Sequence, residues 1–265
     1  MLCENIGVSG AHLTFAGRDV TELAEKYGTP LYLMDEDKIR DNCRIYKKAM
    51  ADFFGEGSLP VFASKAACFK RIYEIMKEEN MGIDLVSSGE LYTALSEGFD
   101  VSRAFLHGNN KTDFDINYAM DSGVGYFVVD NLTELNRIDM AAYEKGIVQK
   151  VILRLTPGID PHTHAAVVTG RVDSKFGIAI ETGQADCAVE YTLTKKNVRL
   201  CGFHCHIGSQ IFEIEPFIEA AKIMVKLMSD IKAETGKELS ELNLGGGYGI
   251  QYTKDDDPIG YGDYI

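Results

Sequence analysis

The sequence predicts an α/β protein built on a parallel sheet, with seven of the eight strands that a closed (β/α)8 barrel requires. Three observations carry that expectation. From Pro60 onward, short apolar runs alternate with helical patterns. The first run ends in a lone lysine, Lys65, and the last leads into the glycines Gly245, Gly246 and Gly247. Alternation of this kind reads as successive βα units in a parallel sheet.

Residues 1–34 differ from the rest of the chain. Leu13, Phe15, Val20 and Leu23 are spaced by polar residues and by Gly10 and Gly17. Gly28-Thr29-Pro30 breaks the chain before Leu31–Met34, which reads as a short strand. Asp35 is placed to cap a helix running to about Phe54, with Ile39, Cys43, Tyr46 and Met50 in helical register. The strands expected next are Val61–Ser64, Gly82–Ser87, Ala104–His107, Gly125–Asp130, Val151–Thr156, Leu200–Ile207 and Leu242–Gly245. The helices expected between them are 66–80, 88–97, 111–121, 131–145, about 181–193, and 214–235. This divides the chain into an N-terminal segment, 1–34, and an incomplete barrel, 35–265.

Composition narrows the function. Of 265 residues, 45% are hydrophobic, enough for a sizeable core. A formal net charge of −13 and no basic stripe argue against nucleic acid as a partner. No apolar run approaches the roughly 18 residues of a membrane span, and the first residues carry no secretory pattern. Six scattered cysteines without a C-x-x-C pair read as free thiols in a reducing cytosol, so a cytoplasmic location is expected.

Lys65 stands at the carboxyl end of the first expected strand, where α/β folds place their chemistry. Partial desolvation there would lower its pKa and suit its amine to Schiff-base formation; the competing reading is a solvated surface lysine. In Leu200–Gln210, strand alternation puts Cys201, Phe203, Cys205 and Ile207 on one apolar face. Gly202, His204 and His206 fall on the other. Two histidines on a barrel's inner face are hydrogen-bonded core residues, metal ligands or pocket residues. The cysteines lie opposite them, which disfavours a Cys/His zinc site, and no metal is expected. His206 suits a pocket best because Gly208 and Ser209 come directly after its strand. The glycine run exposes successive N–H groups, either as an anion nest or as a flexible turn. A barrel often binds phosphate in the loops after strands seven and eight. A lysine, a histidine and a phosphate-type glycine run together suit pyridoxal 5′-phosphate (PLP).

With those features the sequence resembles diaminopimelate decarboxylase, of the alanine-racemase-like fold type of PLP enzymes. The resemblance rests on Gly28-Thr29-Pro30-Leu31-Tyr32, Ala63-Ser64-Lys65-Ala66, Asp84 to Leu91, His107 to Lys111 and Leu153-Arg154-Leu155. It continues with Ser174-Lys175-Phe176-Gly177, His204 to Ile211 and Asn243 to Gly249. It implies that Lys65 is the Schiff-base lysine, that His206 stacks on the pyridine ring, and that Ser209, Gly246 and Gly247 bind phosphate. It places Asp84 near the lysine and Arg154 near the ring, where an internal ion pair is the other reading of Arg154. His107 and Asn109 are expected to line the pocket, and Lys175 to face a homodimer interface.

The implied reaction is decarboxylation of meso-2,6-diaminopimelate to L-lysine, the last step of lysine biosynthesis. The alternatives are a decarboxylase for arginine or ornithine, or a non-catalytic PLP-binding barrel. Two departures stand out. Ala67 replaces the Asn common after this lysine motif. The family's Glu-Pro-Gly-Arg strand, whose Glu pairs the pyridine nitrogen, and the β domain beyond it are missing. The expectation is therefore a barrel without its eighth strand or C-terminal β domain, inactive by itself.

Overall fold

The computed structural model describes residues 4–159 and 176–265. The chain divides into two compact units: Met1–Ser58 with Gly249–Ile265, and Leu59–Tyr248. In the first, β1 (Ile6–Ser9), β2 (His12–Phe15) and β3 (Arg18–Asp19) form an antiparallel sheet. Asp19 ends β3 and caps α1 (Val20–Tyr27), its carboxylate accepting from the amides of Thr21 and Glu22. Asp35 caps α2 (Glu36–Phe54) in the expected place, accepting from the amides of Asp37 and Lys38. The strand expected at Leu31–Met34 does not form. Tyr32 is 94% exposed, and the segment pairs with no strand among the described residues. Tyr261, in a 3-10 turn at Tyr261–Tyr264, stacks on Tyr46 of α2 with ring centroids 5.5 Å apart.

The second unit carries the parallel sheet. Its strands are β4 (Val61–Ala63), β5 (Gly82–Leu85), β6 (Ala104–Leu106), β7 (Tyr126–Val129), β8 (Gln149–Thr156), β9 (Ile178–Ala179), β10 (Val198–His204) and β11 (Glu241–Asn243). All but β9 run in sequence order across the sheet, each parallel to the next. The two-residue β9, too short for a periodic signal, pairs with the end of β8. Among the described residues β4 and β11 are edges, so the sheet is not closed.

The intervening helices are α3 (Lys70–Glu78), α4 (Ser88–Ser96), α5 (Asp113–Asp121), α6 (Leu132–Lys145), α7 (Gln184–Leu193) and α8 (Glu215–Thr235). Ser87, Thr112 and Asn131 cap α4, α5 and α6 with their side chains, which is why each helix starts where it does. The first helix departs from expectation. Ser64–Ala66 form a 3-10 turn, Ala67 is extended at φ −160°, and the α-helix begins only at Lys70. Among the described residues no helix is long and apolar enough to cross a membrane.

Period-2 alternation gives the sheet two faces. Ile83, Leu85, Phe127, Val129, Val151 and Leu153 are fully buried beneath the helices, each stabilising the fold by about 1.5–3 kcal/mol. On the other face Phe105, Val128, Ile152 and Cys201 pack together, with Val61 and Tyr126 against them. This corrects the expected placing of Cys201 under the helices. The register of β10 against β8 slips between Leu200 and Gly202, so Cys201 is an inserted residue that joins the opposite face.

Gly202 sits where β10 meets β11. A methyl group there would lie 1.7 Å from the Glu241 carbonyl oxygen. Gly202→Ala is expected to cost about 1–3 kcal/mol through overpacking, lowering the thermal midpoint by several degrees. A calorimetric midpoint equal to wild type would show that β11 yields instead.

Candidate active site

Parallel strands all end on one edge of their sheet, and the polar residues of this unit collect on that rim. Lys65 follows β4, Asp84 lies in β5, His107 follows β6, Asp130 follows β7, Arg154 lies in β8, and His204 ends β10. His206 lies just beyond β10, and Gly245 to Gly247 lie just beyond β11.

Lys65 is exposed rather than desolvated, in its 3-10 turn. It is close enough to Glu90 and His206 to act electrostatically on both. Glu90 is 8% exposed and accepts the Val86 amide at 2.6 Å. Burial pushes its carboxyl up, and Lys65 partly offsets that shift.

Of the imidazoles on the rim, His204 is buried and His107 and His206 are partly buried. The His204 ring meets the His107 ring edge-on, with centroids 4.8 Å apart. His107 Nε2 lies 3.1 Å from Asp84 Oδ1, but the two are not aligned as a hydrogen bond. His204 Nδ1 is buried without a hydrogen-bond partner. Burial holds His204 well below its ordinary value, and His107 and Arg154 add to the effect. His206 is pushed down to about 4, by burial first and then by Arg154 and Lys65. Both rings are therefore neutral at physiological pH.

The glycine run packs against His206. A methyl group at Gly245 would lie 2.6 Å from the Cys205 carbonyl and 3.0 Å from His206 Nδ1. At Gly247, where φ is +106°, it would lie 1.9 Å from the Gly208 carbonyl and 3.3 Å from His206 Cε1. These positions accept only glycine, because the backbone itself walls the ring. A methyl group on Gly246 meets nothing within 4 Å, so this one peptide faces an open side. The Gly246 backbone hydrogen-bonds with the His206 ring. The Ile211 amide donates to the Gly247 carbonyl at 3.0 Å, tying the two loops together. Ser209 is exposed beside them.

Arg154 takes the ion-pair arrangement. Its Nη1 lies 3.8 Å from Asp130 Oδ1, and its guanidinium lies 4.5 Å from the Phe176 ring centroid. Asn109 and His107 line a cavity of about 130 Å³ at the ends of β5 and β6. Lys175 lies outside the described residues.

A ring-bearing phosphorylated aldehyde fits these groups. An amine, a neutral buried imidazole and a backbone cradle that a Cβ would fill share one rim, with partnerless polar atoms on Asp84, His107 and His204. Residues 36–265 match the sequence profile described as "Pyridoxal-dependent decarboxylase, pyridoxal binding domain". The chain belongs to this family. A diaminopimelate decarboxylase of Bacillus methanolicus is 43% identical over 96% of the chain and 59% of its own length. The crystal structure of diaminopimelate decarboxylase from M. jannaschii superposes with a TM-score of 0.90 at 35% identity, over 99% of this chain and 62% of that one. The same enzyme in complex with L-lysine matches with a TM-score of 0.87 at 35% identity, over 96% and 59% of the two chains. The chain thus spans about three-fifths of the length of its curated relative.

Sequence reasoning brings Lys65, His206 and the glycines to one place but misses three acids. Glu90 stands in the sequence only as part of a motif, and Asp130 and Glu134 carry no expected role. Asp130 ends a parallel strand, a signal that could have singled it out. Glu134 sits at the third position of α6 and looks like an ordinary helix-start acid.

The depressed pKa of His206 sets a pH dependence. The unfolded chain takes up that proton near 6.5, whereas the folded chain resists until about 4. Between these values the unfolded state binds more protons, so stability falls as pH drops. The loss is expected to reach roughly 3 kcal/mol at most. In urea titrations at pH 7 and pH 4.5, His206→Gln should lose less stability than wild type. Equal losses would place the ring in solvent.

Proposed function

We propose that this chain is the cofactor-binding part of a PLP-dependent diaminopimelate decarboxylase, a lyase that forms L-lysine and CO2. The observation that carries the reading is His206, neutral and walled by Gly245 and Gly247, on the rim that also bears Lys65. When bound, PLP supplies an electron sink for the carbanion left by loss of CO2.

The chain's residues bind and orient. Lys65 would hold the cofactor aldehyde through its amine. His206 covers a ring face without adding positive charge beside it. The Gly246 and Gly247 amides and the Ser209 hydroxyl hold the phosphate. Asp84 and Arg154 orient around the ring, Asp84 against His107 and Arg154 against Asp130. Glu90 is a buried acid within electrostatic reach of Lys65. A small amino-acid substrate, a homodimer and a cytoplasmic setting complete the reading. Among the described residues Cys43, Cys68, Cys187, Cys201 and Cys205 form no disulfide, which is compatible with a reducing compartment.

Protein incubated with PLP is expected to gain a visible absorbance band that Lys65→Ala lacks. In the enzyme carrying its remaining family segments, CO2 release from meso-2,6-diaminopimelate should exceed that from ornithine, arginine or lysine. Faster release from ornithine or arginine would replace the substrate assignment. Gly246→Ala should leave the thermal midpoint of the cofactor-free protein unchanged and weaken PLP binding at least about tenfold, because its methyl group would fill the open side and hold the phosphate off the backbone amides. Unchanged PLP affinity by titration would move the phosphate elsewhere.

A further inference from the structure

We propose that Lys111, clamped by Glu134, is a positioning residue that fixes His107 and Asp130 against Asp84, His204 and Arg154. Lys111 is 3% exposed, and its ammonium has three protons to donate. All three find acceptors: the Gly108 carbonyl at 2.8 Å, the Val128 carbonyl at 2.7 Å and Glu134 Oε1 at 2.8 Å. These belong to three different elements of the rim. Gly108 follows His107 directly and turns the chain at φ +122°. Val128 lies two residues before Asp130 on β7. Glu134 sits in the first turn of α6 and also accepts the Asp130 amide at 3.2 Å.

One buried charge therefore joins the turn carrying His107 to the strand end carrying Asp130. The Lys111 backbone is held in turn, since Arg137 Nη1 donates to its carbonyl at 2.9 Å. The side chains so placed make the remaining contacts of the rim. His107 lies 3.1 Å from Asp84 and edge-on to His204, and Asp130 lies 3.8 Å from Arg154. The three hydrogen bonds of the Lys111 ammonium go to none of the groups assigned to the cofactor. It acts by fixing the distance between two neighbours, which is where a displacement of about 1 Å can cost a hundredfold in rate.

The variants are Lys111→Met, Glu134→Gln and the double variant Lys111→Met/Glu134→Met. Ile231→Ala serves as a control, a 4% exposed core residue near the end of α8 opposite the rim. Thermal midpoints, histidine ring NMR signals and steady-state kinetics are the readouts. The kinetic arm rests on the decarboxylase reading; the NMR arm, on the 265-residue chain itself, does not. Both single variants should shift the ring signals of His107 and His204 and lower kcat at least about tenfold with KM within about threefold. The double variant leaves no unpaired buried charge, so its thermal midpoint should recover relative to Lys111→Met while kcat and the ring signals stay altered. Ile231→Ala should lower the midpoint and leave kcat and the rings alone. If Lys111→Met fails to fold, Glu134→Gln decides. Unchanged ring signals in the folded variants would overturn the proposal. So would a kcat that recovers together with stability in the double variant. A wild-type enzyme that carries its remaining family segments and is still inactive would overturn the decarboxylase reading, and the ring signals would still decide the role of Lys111.

Discussion

Parallel pairing is the constraint on which the rest of the second unit depends. Because β4 through β8, then β10 and β11, run the same way in sequence order, their carboxyl ends share one rim. Residues more than 180 positions apart, such as Lys65 and Gly247, come to one place without any long loop carrying them there. The opposite ends of the strands are closed by ordinary packing. There Tyr126 stacks on Phe105 at 4.7 Å, and its hydroxyl donates to Glu241 at 3.1 Å. Chemistry and stability thus occupy opposite ends of the same strands.

Burial sets the electrostatics of that rim. The sheet removes the imidazoles of His204 and His206 from water, and nearby cations oppose their protonation further. Two opposite-charge pairs lie inside: Lys111 with Glu134, and Arg154 with Asp130. Unpaired, either charge would be too costly to bury. Lys65 is the contrast. It is exposed, in a 3-10 turn rather than in an α-helix, and so keeps a solvent-facing amine beside the buried groups.

Much of this is legible in the sequence for a physical reason. Apolar runs of β period and helical patterns of 3.6 period repeat from Pro60, and period is what the chain's own geometry imposes. Side-chain caps such as Asp35 and Asn131 mark helix starts because their oxygens satisfy amides that nothing else reaches. Leu31–Met34 misleads because an apolar run becomes a strand only where a partner strand is available. The helix after Lys65 starts later than its pattern suggests, and no capping side chain stands at Phe69 to mark the start. Lys111 belongs to a recognisable motif, yet its partners come from two other elements, and no local pattern encodes a contact of that range.

The slipped residue in β10 has a consequence for the whole strand. Before it, Leu200 pairs with Val151, one of the residues beneath the helices; after it, Gly202 pairs with Ile152 and His204 with Arg154, on the other face. Cys201 absorbs the difference and changes the phase of the strand by one step. Had the alternation run through unbroken from Leu200, Phe203 and Cys205 would face the rim's interior, and both histidines would lie under the helices. The bulge at Cys201 thus decides which face the residues after it take. Deleting Cys201 would restore an even ladder, Leu200 against Val151 and Gly202 against Ile152, and would leave His204 on the face it now occupies.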